Sequence, residues 1–163
     1  MDKLLRFGAL CAVLGGGLRF AAQAIPCVPD NAGLELLYSV IDLSFLFALV
    51  ALVAMLAGRV SGWALGLLLV ALGGVASIVG PEKAAFGIDF YLAGSAIFVL
   101  ALGLASPALV KPPGLRGSAW AWGLAALAAL GSALGGGAVA FVAAGLLLAL
   151  GFILAAPALW RGV

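Results

Sequence analysis

The stretch ELLYSVIDLSFLFALVALVAMLA, Glu35 to Ala57, decides how this chain folds. It is apolar on every face, without the polar stripe that a surface helix of a soluble protein shows. Such a run is long enough to cross a membrane, because a helix rises 1.5 Å per residue and the hydrocarbon core is about 30 Å thick. Its backbone groups would then need partners within the segment, which selects the α-helix. One carboxylate, Asp42, interrupts the run and needs a physical account.

The rest of the chain has the same character. Apolar residues make up 66% of its 163 residues and charged residues 9%. Ordinary soluble domains have about 45–50% apolar and about 25% charged residues. A soluble fold of this length could not hide so much apolar surface from water. The composition resembles that of small multi-pass proteins of bacteria and archaea rich in alanine, glycine and leucine. That likeness rests on no motif and brings no residue roles with it.

Pro, Gly and charged residues cut the chain into six apolar segments: about Leu4 to Ile25, Glu35 to Ala57, Trp63 to Val79, Ala85 to Ala105, Ser118 to Leu134 and Ala138 to Trp160. The expected fold is therefore all-α, a single domain over residues 1–163: a compact bundle of six transmembrane helices with short loops. Charge orients it. Lys3, Arg6, Arg59, Lys111, Arg116 and Arg161 fall on the side of the termini and the second and fourth connections. The opposite connections hold Lys83 with Asp30, Glu35 and Glu82. By the positive-inside rule both termini are expected in the cytoplasm. Trp63, Trp120, Trp122 and Trp160 fall at the same ends and are expected to be interfacial anchors. A prokaryotic cytoplasmic (inner) membrane is the expected location. Ala22-Gln23-Ala24 also has the form of a signal-peptide cleavage site. Cleavage there would leave five helices in the same orientation, and retention is the preferred reading.

Two cysteines, Cys11 and Cys27, allow no disulfide framework, and both are expected to be free thiols. The chain has no histidine, which removes bis-histidine haem ligation and the usual zinc sites. No cofactor, metal site or catalytic residue is assigned. The glycines include Gly15 to Gly17, Gly62-x-x-x-Gly66, and Gly73 with Gly74. In lipid, where apolar burial does not drive helices together, small residues allow close backbone approach. Packing within one protomer is the expected use of these glycines, with a dimer face as the alternative.

Asp42 can now be placed. If the second helix enters the membrane near Glu35, Asp42 lies about 10 Å deep. Arg19 lies about 9 Å below the same surface, and Asp89 about 6 Å. A charge at the membrane centre costs about 2.5–3.5 kcal/mol on insertion scales, and pairing is the usual remedy. An Arg19–Asp42 ion pair is expected, with Asp89 as second partner or as a nearby unpaired acid. Glu35, Tyr38 and Asp42 share one helix face, Gln23 lies one turn from Arg19, and Tyr91 follows Asp89. Arg19, Gln23, Glu35, Tyr38, Asp42, Asp89 and Tyr91 thus form the candidate polar site near the outer face.

The function expected from these residues is non-enzymatic: an accessory, assembly or lipid-contacting bundle whose Arg–Asp cluster is structural. The alternative is a small oligomeric transporter or channel that uses the cluster as its site for an ion, proton or small solute. Membrane lipids are the expected partners, together with a homo-oligomer or a larger membrane complex. Nucleic acid is not expected, because the bases are scattered and explained by topology and anionic lipid.

Overall fold

The computed structural model describes residues 2–25, 32–79, 84–85 and 88–162. Four helices come first: α1 Asp2–Ala22, α2 Ala32–Leu56, α3 Gly62–Ile78 and α4 Phe90–Leu109. Between α3 and α4 the two-residue strands β1 Ala84–Ala85 and β2 Ile88–Asp89 pair antiparallel, Ala84 opposite Asp89. The chain then continues through α5 Arg116–Gly131, a π-helical turn Ser132–Gly136 kinked at Gly135, and α6 Gly137–Arg161.

The six separate spans expected from the sequence are therefore five helical runs among the described residues, the last of them, Arg116–Arg161, kinked at Gly135. Four of them, Asp2–Ala22, Ala32–Leu56, Phe90–Leu109 and Arg116–Arg161, are long and apolar enough to cross a membrane. α3 has 17 residues and is the short one. The break expected at Gly135 to Gly137 is a kink with non-helical backbone at Gly135. Gly135 has φ 107° and Gly137 φ 66°, left-handed values that glycine reaches without steric penalty. The chain reverses there, and the Ser132 hydroxyl donates to the Gly137 carbonyl across the bend at 3.4 Å.

The helices form a ring in chain order. α1 packs on α2, α2 on α3, α3 on α4, α4 on α5 and α5 on α6, and α1 against α6 closes it. Small residues set the spacing of several crossings. A Cβ at Gly74 would lie 2.9 Å from the Gly94 carbonyl oxygen, and one at Gly94 would lie 2.8 Å from that of Gly74. Gly8 abuts Ala51, and Gly103 abuts Ala126. Gly62, Gly66 and Gly73 do not follow this pattern. A Cβ at any of them would meet open space, so the packing expected of Gly62-x-x-x-Gly66 is not made within the protomer. The helix turns these three outward.

The middle of the ring is aromatic. Phe152 stacks on Phe45 at 4.6 Å between centroids, meets Trp122 edge-on at 5.3 Å and lies 6.0 Å from Phe98. The outside is apolar too, with Leu10, Val70, Leu92, Leu104, Leu127 and Leu134 all exposed. A bundle apolar within and without suits lipid and not water.

The α2–α3 connection, the α4–α5 connection and both termini meet at one end. Arg59 Nη1 donates to the Gly162 carbonyl at 3.2 Å, and a Cβ at Gly114 would lie 3.1 Å from Ala158 Cβ. The Arg6 guanidinium lies 5.7 Å from the ring centroid of Trp160. Trp63, Trp120 and Trp160 at this end are exposed, as anchors would be. Trp122 is not an anchor. It is fully buried against Phe152 and Gly151, because it follows Trp120 by two positions and so turns to the opposite side of α5. Cys27, Asp30, Glu82 and Lys83 lie outside the described residues.

Candidate functional site

The polar cluster is built on Arg19, in the last turn of α1 and half-buried. Its guanidinium carbon sits 5.4 Å from the centroid of the Tyr38 ring, on α2. It also lies close enough to the Tyr91 hydroxyl, on α4, to act on it electrostatically. From α6, Gly145 packs flat against it: a Cβ there would lie 3.0 Å from Nη2 and 3.2 Å from Nε. Groups from three helices thus converge on an arginine of a fourth.

Asp42 is buried and lies one turn along α2 from Tyr38. It is close enough to act electrostatically on Tyr91, and it makes an interaction of its own. The expected Arg19–Asp42 ion pair is not among the interactions of the described residues. The guanidinium lies against the Tyr38 ring, with the Tyr91 hydroxyl near it. These contacts can offset the burial of the charge. A cation–π pair contributes about 0.5–1 kcal/mol when exposed and about 2 kcal/mol when desolvated. The insertion cost at the membrane centre is of the same size, about 2.5–3.5 kcal/mol.

Asp89 plays a different part from the one expected. It is exposed and caps α4, its Oδ1 accepting from the Leu92 N–H at 3.0 Å. The helix starts at Phe90 rather than near Ala85, which puts the acid at the mouth of the helix instead of a turn inside it. An aspartate in that place satisfies one of the open N–H groups of the first turn. Asp89→Ala is therefore expected to cost about 1 kcal/mol, roughly 2–4 °C in thermal midpoint, with Asp89→Asn close to wild type. Thermal unfolding of the three proteins in the same detergent tests this. Equal losses from both substitutions would show that the charge rather than the cap matters.

The remaining expected members surround this centre loosely. Tyr91 belongs to it through Arg19, as described. Glu35 is exposed in the first turn of α2, its carbonyl accepting from the Ser39 hydroxyl at 2.8 Å. Gln23 lies just past α1, half-buried, its backbone N–H donating to the Phe20 carbonyl at 3.2 Å. The residue that sequence reading missed is Gly145. Its signal is only the lack of a side chain in an alanine- and leucine-rich run, which nothing in the sequence connects to Arg19.

Among the described residues the cluster does not continue inward. Ser44, just beyond Asp42, donates to the Val40 carbonyl of its own helix at 2.7 Å. Ser77 and Ser106 likewise donate to Gly74 and Gly103 of their own helices. The Ser106 bond has a clear cause, since Pro107 lacks the N–H that the Gly103 carbonyl would otherwise accept. Phe45, one turn from Asp42, opens the aromatic packing that fills the ring. Among the described residues no group of three or more Cys, Asp or Glu could hold a metal ion.

No known protein family, curated protein or solved structure matches the chain.

Proposed function

We propose that this chain is a non-enzymatic integral membrane bundle that acts as an accessory, assembly or lipid-contacting component, with the Arg19 cluster as its structural tie. In this reading α5 and α6 cross separately, which makes six crossings and sets both termini in the cytoplasm of a prokaryotic cell. A helical run of 46 residues would be about 69 Å long if straight, more than twice the hydrocarbon thickness, so a hairpin of two crossings is the economical arrangement. Membrane lipids are its immediate partners, within a homo-oligomer or a larger membrane complex.

The observation that carries the reading is the fate of Arg19. Its charge is met by Tyr38 and Tyr91, its flat side is packed by Gly145, and rings of Phe45, Phe98, Phe152 and Trp122 occupy the interior beyond. A group met by three neighbouring helices above a filled core suits a brace better than a solute site. A transporter would need a polar route past the aromatic layer.

Arg19→Gln tests the proposal, with Arg19→Lys beside it. Gln removes the charge and the stacking plane, and Lys keeps the charge but loses the plane. Both are expected to lower stability by about 1–3 kcal/mol, Gln more than Lys, without altering ion or proton flux in sealed vesicles. A variant that keeps its thermal midpoint but loses a flux present in wild type would favour the transport reading.

A further inference from the structure

A second site lies at the opposite end of the bundle from Arg19, and it does not depend on the role of that cluster. A cavity of about 460 Å³ opens between the α2–α3 and α4–α5 connections. Leu56, Val60, Ala108 and the prolines Pro112 and Pro113 give it apolar walls, and Arg59, Lys111 and Ser61 give it polar ones. Among the described residues lining it there is no carboxylate. We propose that this cavity binds the phosphate of an anionic phospholipid, with Arg59 and Lys111 as its counter-charges.

Four features converge on that chemistry. The two bases come from different connections, so the fold and not the sequence brings them to one cavity. Among the described residues Arg59 is held by one bond, from Nη1 to the Gly162 carbonyl, and a guanidinium has other donors for an oxyanion. Ser61 is the N-cap residue of α3, yet its side chain makes no capping bond, so its hydroxyl is available to a ligand in the cavity. The first turn of α3 also carries no acid that would compete with a bound anion at this helix end.

The walls choose the source of the phosphate. A free anion gains nothing from leucine, valine and proline, whereas the glycerol and upper acyl carbons of a lipid do. The exposed Trp63, in the first turn of α3, suits headgroup depth. Basic pockets between helices at the cytoplasmic surface are known binders of anionic headgroups. The assignment rests on the membrane placement proposed above, and it gives the lipid-contacting role a specific lipid class.

Native mass spectrometry of the full chain, released from a neutral detergent, can test it by titrating phosphatidylglycerol and phosphatidylcholine separately. Wild type is expected to retain one phosphatidylglycerol in preference to phosphatidylcholine. Arg59→Gln with Lys111→Gln should weaken this binding about thirtyfold, each lost base contributing about fivefold. Lys111→Gln alone leaves the Arg59–Gly162 bond intact, so its fivefold loss remains readable if the double variant is unstable. Arg6→Gln and Arg161→Gln remove bases at the same end that do not line the cavity, and they should stay within about twofold of wild type. Equal losses from these controls, or unchanged binding in the double variant, would overturn the site. Inorganic phosphate that displaces the lipid at millimolar concentration and stabilises the protein by itself would overturn the lipid assignment. Loss of vesicle insertion altogether would instead count against the membrane placement, and is measured separately by flotation.

Discussion

Gly94→Val is expected to lower the stability of the bundle by about 3 kcal/mol, roughly 6–12 °C in thermal midpoint. A Cβ at position 94 would lie 2.8 Å from the Gly74 carbonyl oxygen and 2.7 Å from Ile78 Cγ2, and would strike the Ser77 hydroxyl. Across the same crossing, a Cβ at Gly74 would lie 2.7 Å from the Phe98 backbone nitrogen. Backbone cannot swing aside as a long side chain can, so α3 and α4 must separate. That loses the close contact which, in lipid, is the main attraction between helices. Gly66→Val supplies the control: it is the same chemical change on α3, the other helix of this crossing, but in open space. It should stay within about 0.5 kcal/mol of wild type. The comparison is a thermal melt in one detergent, and equal shifts for the two variants would falsify the close crossing.

The second large effect belongs to Phe152→Ala, expected to cost about 3 kcal/mol. Phe152 is buried and touches rings from three other helices: Phe45 of α2, Phe98 of α4 and Trp122 of α5. For a soluble core the loss would combine a transfer part and a cavity part. In lipid the transfer part shrinks, because acyl chains solvate a phenyl ring nearly as well as the protein interior does. The cavity part survives, since the ring helices cannot all close around the missing volume, and it sets the figure at the low end of the range. Phe141→Ala, on the same α6 but exposed, should be nearly silent. If the exposed substitution cost as much as the buried one, the aromatic centre would not be the core of the fold.

The helices were legible because apolar runs and their interruptions are local. The expected second span began at Glu35 and α2 begins at Ala32, while the third differs by one residue at each end. The fourth start was misjudged because Ala85 to Ile88 is as apolar as the helix after it. Only Asp89 marks the boundary, and a capping acid and an intramembrane acid look alike in a sequence. The same ambiguity affected the candidate site. Arg19, Tyr38, Asp42 and Tyr91 could be grouped by depth, but depth does not say which atoms touch. Trp122 could not be told from Trp120 without knowing which side of α5 faces α6.

By itself the sequence determined that this is an apolar, helical chain with several runs able to cross a membrane, because hydropathy and backbone pairing act within a segment. The tertiary structure alone decided that Arg19 rests on Tyr38 and Tyr91 against Gly145, and that Gly74 faces Gly94 while Gly66 faces nothing. It also decided that Arg59 and Lys111 share one cavity. Each of these depends on the rotation of a helix about its own axis. In a helix apolar all round, the sequence holds almost no record of that rotation, and it is set only by how side chains from different helices fit together.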